Sequence, residues 1–267
     1  MNKSGVSIAG MILALAAGAS SNCAADVIES YIEAPDVQSS YLAGSGTTDT
    51  FGTTNMTTND YLGNIGTYTS ASNFVIIPAD QYGGAGDTGE YLAFGAENGS
   101  ASPITITLNS PEDYLGVWVS AADANNGISF YSGTTLVGRF NTAGLEALLS
   151  STTVTTVGGG TYASANYYGN PNNPSEDTSE PFAYVDFYDT TGTFTSIVLD
   201  NSGATGTGFE SDNYTVYNGP TSVPPGDVFV ELVPEPGRYA GLMLGMVLCL
   251  LVGQRMSKRL AYFRNEF

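Results

Sequence analysis

The chain has 267 residues, with 26 acidic side chains, 7 Lys and Arg and no His, for a formal net charge of −19. This balance argues against a basic surface for nucleic-acid binding, and the lack of His excludes His-based triads, His metal sites and His general bases. Only 12% of the residues are charged, 11% are aromatic and 33 are Gly, which is typical of a folded, turn-rich β protein.

Residues 1–25 contain the three parts of a secretory signal peptide. Lys3 is followed by an uncharged apolar run and then by small residues up to Ala25. We therefore predict export, with signal peptidase cleaving after Ala25. A retained amphipathic helix is disfavoured because the run has no polar stripe. Lipid attachment at Cys23 is the other alternative, and the residues just before this cysteine fit it poorly.

The segment 26–232 is predicted to be one extracellular domain, the ectodomain. From Asp26 to Val233 the chain carries 24 acidic residues and a single cation, Arg139, for a local net charge of −23. Both cysteines of the chain lie outside this segment, so the ectodomain has no disulfide and its stability must come from a packed core.

Short runs that favour β-strands recur about every ten residues in the second part of this domain, separated by Gly, Asn, Asp and Pro. Residues 39–73 predict short strands and long loops. The later predicted strands are Asn73–Ile77, Glu90–Phe94, Ile104–Leu108, Tyr114–Ser120, Ile128–Tyr131, Leu136–Phe140, Thr152–Val157, Ala183–Tyr188, Phe194–Leu199, Tyr214–Tyr217 and Val228–Leu232.

The pattern predicts an all-β fold, an antiparallel β-sandwich that is jelly-roll-like, because the strands lack the spacing of βαβ units. One short helix is predicted at Thr142–Leu149, where three leucines share a face and would pack at one end of the sandwich. A signal helix and a C-terminal transmembrane helix complete the predicted architecture.

Two acidic turns are candidate calcium sites. Glu210, Asp212 and Asn213 precede a predicted strand and offer the oxygen ligands that a structural Ca²⁺ prefers, but the alternative is a turn in which they bond local backbone groups. The segment 123–127 resembles part of a calcium loop, yet it lacks the closing Glu. It is predicted instead to be a hairpin turn, with Asn126 and Gly127 at positive φ. No other cofactor is predicted.

Aromatic residues suggest a site for sugars. Tyr167 and Tyr168 stand next to Asn170 and Asn172, and exposed rings stack on sugar faces while amides bond hydroxyls. We predict glycan binding by these four residues, with core packing of the rings as the alternative. Trp118 is predicted to belong to the core.

Paired carboxylates could instead serve a polysaccharide-acting enzyme. Glu176, Asp177 and Glu180 lie together in a polar loop, but no motif surrounds them and a solvated acidic surface is the simpler interpretation. The sequence therefore favours a protein without catalysis.

The segment 233–267 has three parts. Pro234, Glu235 and Pro236 come first, and the two prolines hold the peptide extended. Residues 239–254 carry no charge and would form a transmembrane helix about 24 Å long. The basic tail 255–267 then places this end in the cytoplasm and the ectodomain outside.

This order of motif, apolar helix and basic tail behind a signal peptide resembles the PEP-CTERM sorting signal. The resemblance implies that an exosortase, a membrane-embedded cysteine transpeptidase of Gram-negative bacteria that make extracellular polysaccharide, removes the tail. The inner-membrane precursor would then become a secreted or surface protein, with extracellular polysaccharide as a further partner.

Residues 65–217 also resemble a family of exosortase-dependent surface proteins. The resemblance is carried by four segments, which are Ala79–Ala85, Tyr167–Pro171, Glu180–Tyr184 and Gly208–Asn213. It implies a surface location and a sandwich fold, and it implies no activity.

Overall fold

The computed structural model describes residues 28–52, 56–57, 59–95, 103–201 and 206–232. These residues form sixteen strands, one α-helix, α1 (Thr142–Leu149), and short 3-10 helices at Ala85–Asp87 and Ser164–Tyr167. The strands are β1 (Ile28–Ile32), β2 (Thr47–Asp49), β3 (Asp60–Leu62), β4 (Gly66–Ser70), β5 (Val75–Pro78), β6 (Glu90–Gly95), β7 (Ile104–Glu112), β8 (Tyr114–Ser120), β9 (Asn126–Ser132), β10 (Thr135–Asn141), β11 (Thr153–Thr155), β12 (Thr161–Ala163), β13 (Ala183–Asp189), β14 (Phe194–Asn201), β15 (Gly208–Tyr217) and β16 (Val228–Val230).

The strands form two main antiparallel sheets. The larger sheet has the order β16-β1-β13-β8-β15-β6-β5, and β2 also pairs with β15. The smaller sheet has the order β10-β9-β14-β7-β4-β3, and β11 and β12 form a separate ribbon. Neighbours in the sheets are mostly distant in sequence, so the fold depends on long-range pairing.

The core lies between the two sheets and is filled by alternate residues of their strands. Val185 and Phe187 of β13 point into it from the larger sheet. The ring of Phe130 in the smaller sheet lies 4.9 Å from that of Phe187 and 5.0 Å from that of Phe194. The antiparallel β-sandwich predicted from the sequence is thus confirmed.

The larger sheet is also covered on its outer face. A segment that we call the strap, residues 33–46, connects β1 to β2 and crosses this face. Tyr184, Asp186 and Tyr188 of β13 lie on the outer face, and all three are buried. Trp118 is buried there too, against Phe182, so it does belong to the packed interior.

Helix α1 has the predicted boundaries. Asn141 caps it, because its side chain accepts a hydrogen bond from the N–H of Gly144 at 3.0 Å. Leu145 and Leu149 are buried and Leu148 packs against the core. The predicted leucine face is confirmed.

The structure corrects two local predictions. Glu210 to Asn213 do not precede the late strand but lie within β15. The segment 123–127 does form a turn, with the N–H of Asn126 donating to the Asp123 carbonyl at 3.0 Å. It joins β8 to β9, which belong to different sheets, and neither Asn126 nor Gly127 has a positive φ. The turn is therefore a crossing between sheets and not a hairpin.

Candidate functional site

The predicted export residues lie outside the described part of the chain. This holds for Ala25, for Pro234, Glu235 and Pro236, and for the predicted membrane helix 239–254. Among the residues that are described, no helix has the length and apolar character to cross a bilayer.

Of the predicted calcium site, Asp212 and Asn213 lie at a bulge in β15, where Asn213 has φ 50°, and Glu210 lies in the regular part of the strand before it. Both carboxylate oxygens of Asp212 accept backbone N–H groups, Oδ2 from Ala85 at 2.9 Å and Oδ1 from Asn213 at 2.6 Å. Burial raises the pKa of Asp212 to about 7, and the two N–H donors oppose this rise. The Asn213 side chain donates to the carbonyl of Gln38 at 2.7 Å. Calcium binding here stays a prediction, and an ion would share Asp212 with two N–H groups.

Two of the four predicted glycan-binding residues are buried. The Tyr167 side chain is 1% exposed, and its hydroxyl donates to the carbonyl of Glu33 at 2.8 Å. Asn170 is buried as well, and its side-chain amide is satisfied locally. The amide NH2 donates to the backbone carbonyl of Gln81 at 3.1 Å, and the amide oxygen accepts the N–H of Asn172 at 2.9 Å. Tyr168 and Asn172 are half-buried. Glycan binding at this loop stays a prediction, and it would depend on Tyr168 and on Asn172, whose amide exchanges two hydrogen bonds with Gln38.

The three acids of the polar loop are half-buried. Burial, together with the charges of Asp123 and Asp177, raises the pKa of Glu180 to about 7. Burial and then the charge of Glu176 also raise the pKa of Asp177. The loop thus contains a carboxyl group with a pKa suited to donate a proton near neutral pH.

A second set of carboxyl groups, which we call the acid cluster, lies on the outer face of the larger sheet. Glu33 follows β1, Asp186 lies in the middle of β13, and Asp227 precedes β16. They come together because β16, β1 and β13 are neighbouring strands. Their side chains are 8%, 0% and 3% exposed, respectively.

Within the acid cluster, a chain of hydrogen bonds runs from the strap to Asp186. The N–H of Leu42 donates to Ser40 Oγ at 2.9 Å. Ser40 Oγ lies 2.5 Å from the Tyr114 hydroxyl, which is itself 2.5 Å from Asp186 Oδ1. The Tyr114 hydrogen goes to Asp186, so Ser40 donates to Tyr114. All three donors therefore point toward one carboxyl group.

Three other oxygens of the cluster have no such donors. Glu33 Oε1, Asp186 Oδ2 and Asp227 Oδ2 are buried and receive no N–H or O–H from the described residues. Glu33 and Asp186 are instead within hydrogen-bonding reach of each other. Arg139, the cation of the described part of the chain, forms an ion pair with Asp200 at 3.0 Å.

This environment favours the neutral form of each carboxyl group. Burial raises the pKa of Glu33, and the charge of Asp227 adds to the rise. Burial also raises the pKa of Asp186, with the charge of Glu33 as the next cause, while the Tyr114 hydrogen bond opposes it. Burial raises the pKa of Asp227 to about 7. The cluster can thus hold protons at a pH where free carboxyl groups have lost them.

A metal ion is the other way to neutralise buried carboxylates. Among the described residues, however, no three His, Cys, Asp or Glu side chains are arranged so that they could hold one. The acid cluster is a group of three buried carboxyl groups with raised pKa values.

Sequence patterns alone do not reveal the acid cluster, because Glu33, Asp186 and Asp227 are far apart in the chain and no motif surrounds them. The available sequence signal was Asp186 itself, a charged residue within a strand of large apolar and aromatic side chains. No family model matches the chain, and the comparisons with curated proteins and with solved structures find no significant match.

Proposed function

We propose that the chain is an exported, non-catalytic protein of the cell surface or extracellular matrix, released from the inner membrane by an exosortase. One observation carries this proposal: Pro234-Glu235-Pro236 is followed by the apolar stretch 239–254 and the basic segment 255–267. An extended peptide next to a membrane helix is what a membrane-embedded transpeptidase needs as a substrate.

The fold is compatible with this role. The segment 26–232 has no cysteine, and its described part is a β-sandwich with a buried core, so it needs no disulfide to fold. The last strand, β16, ends at Val230, shortly before Pro234. The proposed cleavage motif begins four residues after the end of this strand. The jelly-roll-like topology, the signal helix and the membrane helix are parts of the same proposal.

The proposal predicts C-terminal processing in a host that contains an exosortase. Peptide mass spectrometry of protein released to the surface or medium should detect the ectodomain and no peptide after Arg238. Replacing Pro234, Glu235 and Pro236 with alanine should leave the full chain in the membrane fraction.

The matched control replaces a proline and a glutamate outside the motif, Pro220→Ala with Glu231→Gln, both exposed. This variant should be processed like the original chain. Recovery of the tail peptides in released protein would contradict the proposal.

Binding of extracellular polysaccharide is the ligand function that we propose for the ectodomain. On a glycan array, the Tyr168→Ala and Asn172→Ala variants should lose most of the signal, because these residues supply the half-exposed ring and amide of the loop. Phe229→Ala removes an exposed ring on β16 and should leave binding unchanged.

The alternative is a secreted polysaccharide-acting enzyme, and the raised pKa of Glu180 favours it. Incubating the protein with the same glycans and assaying for new reducing ends distinguishes the two functions. Release of new reducing ends by the original chain, lost in Glu180→Gln, would replace the binding proposal with the enzyme.

A further inference from the structure

Polar contacts fasten the strap to the outer face of the larger sheet, in addition to the packing of Val37 and Leu42. Ser40 bonds the Tyr114 hydroxyl, and the hydroxyl of Tyr41 lies 3.1 Å from that of Tyr188. The carbonyl of Gln38 accepts the Asn213 side chain at 2.7 Å. The strap begins at Glu33, so the acid cluster lies where the strap leaves β1.

The contact between the Glu33 and Asp186 carboxyl groups requires that their negative charge be at least partly neutralised. Two ionised carboxylates in contact repel each other, and burial removes the water that would otherwise solvate them. One hydrogen shared between the Glu33 and Asp186 carboxyl groups would turn the repulsion into a hydrogen bond. Each of the two groups has a buried oxygen that receives no donor from the described residues, so the pair has room for this bond.

The described groups around this pair are hydroxyls, a backbone N–H and a further acid. The strap contributes Ser40 and the N–H of Tyr41, which bonds Glu33. β8 contributes Tyr114, β13 contributes Tyr188, and the segment before β16 contributes Asp227, a further acid. None of these groups is a cation, and no three-residue metal site is formed by the described residues.

We propose that Glu33 and Asp186 share a single proton that fastens the strap to the larger sheet, and that loss of this proton loosens the strap. The pair would make the strap sensitive to pH while the two sheets remain packed. The proposal does not depend on export or glycan binding, since it concerns contacts within the sandwich.

The direction of the pH effect follows from proton linkage. With the strap closed, the pair holds its proton more tightly than two solvated carboxyl groups do, so rising pH favours the open strap. The equilibrium constant for strap opening should rise by up to about tenfold for each pH unit. This rise extends from the pKa of solvated carboxyl groups up to the pKa of the closed pair.

Hydrogen exchange of the full chain in a neutral detergent tests this proposal. Exchange rates are corrected for the intrinsic effect of pH. The protection factors of Leu42, Ser45 and Gly46, whose N–H groups are hydrogen-bonded in the strap, should fall by up to about tenfold per pH unit between pH 5 and 7. Amides of β9 and β14 should change much less.

Two nearly isosteric variants identify the pair. Asp186→Asn keeps an oxygen for Tyr114 and offers a permanent N–H to Glu33, and Glu33→Gln offers one to Asp186. Each should remove most of the pH dependence of strap protection. The control, Glu231→Gln, removes an exposed acid next to β16 and should retain the full pH dependence.

Infrared spectroscopy provides a second readout. Glu180, Asp212 and Asp227 also have raised pKa values, so the band of the pair is the buried carboxyl intensity that Glu33→Gln or Asp186→Asn removes. This band should be present at pH 6 and lose intensity in parallel with strap protection as the pH rises.

Three results would overturn the proposal. In the first, strap protection in the unmodified chain follows that of β9 and β14 at every pH. In the second, Asp186→Asn and Glu33→Gln both fold and keep the original pH dependence. In the third, Ca²⁺ protects the strap more than NaCl at equal ionic strength and Asp186→Asn abolishes this effect, which would assign a cation to the pair.

Discussion

At the scale of single residues, Gly116 makes room for the buried polar layer on the outer face of the larger sheet. It lies in β8 directly opposite Asp186 in β13. A Cβ atom at this position would lie 2.7 Å from the Tyr184 hydroxyl and would also collide with the hydroxyl of Tyr114. The absence of a side chain here leaves room for both tyrosine hydroxyls beside the strand.

We therefore expect Gly116→Ala to destabilise the fold by about 1–3 kcal/mol, because the displaced tyrosines lose hydrogen bonds to Asp186 and to the Asn213 carbonyl. Urea unfolding measures the loss.

Gly44→Ala is the matched control, since no atom lies within 4 Å of a Cβ at Gly44. If Gly116→Ala and the control had the same free energy of unfolding, the tyrosines would be able to move without loss of stability.

The acid cluster illustrates which residues could not be found from sequence. Alternation along β13 correctly separates Val185 and Phe187 from Tyr184, Asp186 and Tyr188. In a two-layer sandwich the second set would face water. It is buried because the strap covers it, and nothing local in residues 33–46 indicates where that segment lies.

At the scale of elements, the sequence predicts the positions of strands better than it predicts which strands pair with each other. The boundaries of β8 and α1 agree with the prediction, because alternating β-branched or aromatic residues and a capped leucine face are local signals. β1 was missed, and β8 and β9 were predicted to form a hairpin although they lie in different sheets. Sheet membership depends on long-range burial, which a local pattern does not contain.

The end of α1 offers a test at this scale. Asn141→Ala removes the acceptor for the Gly144 N–H, and we expect a loss of about 1 kcal/mol in the free energy of unfolding.

Asn141→Asp keeps an oxygen at the cap and should restore most of the stability. Equal stability of the alanine variant and the original chain would mean that tertiary contacts alone hold the helix start.

At the scale of the whole molecule, the resolved pKa shifts of the carboxyl groups all have the same sign. Every described carboxyl group with a shift has its pKa raised, and burial is the first cause in each, with values of about 7 for Glu180, Asp212 and Asp227. Most acidic proteins also contain paired carboxylates whose pKa is lowered. Here one ion pair is found in the described part of the chain, so burial is the main cause of the carboxyl pKa shifts.

We therefore expect the full chain to be more stable in mild acid than at neutral pH. A carboxyl group whose pKa is higher in the folded than in the unfolded state stabilises the fold at low pH, and this contribution is lost as the pH rises through the folded value. The melting temperature should fall steadily from pH 5 to pH 8.

A repeat of the pH series at high salt separates buried groups from surface repulsion, because salt screens exposed charges far more than buried ones. The fall should persist at high salt. A melting temperature that rises between pH 5 and pH 8 would contradict the prediction.

The pairing of β1 with β16 determines how the sandwich responds to mechanical load. Ser30 pairs with Val230 and Ile32 with Val228, so residue 28 and residue 232 lie at the same end of this antiparallel pair. A pulling force applied between these two residues opens the hydrogen bonds one after another and does not shear them all at once. Because β16 has three residues, a sandwich held through residue 232 would yield first at this strand, and Val228 and Val230 would leave the core with it.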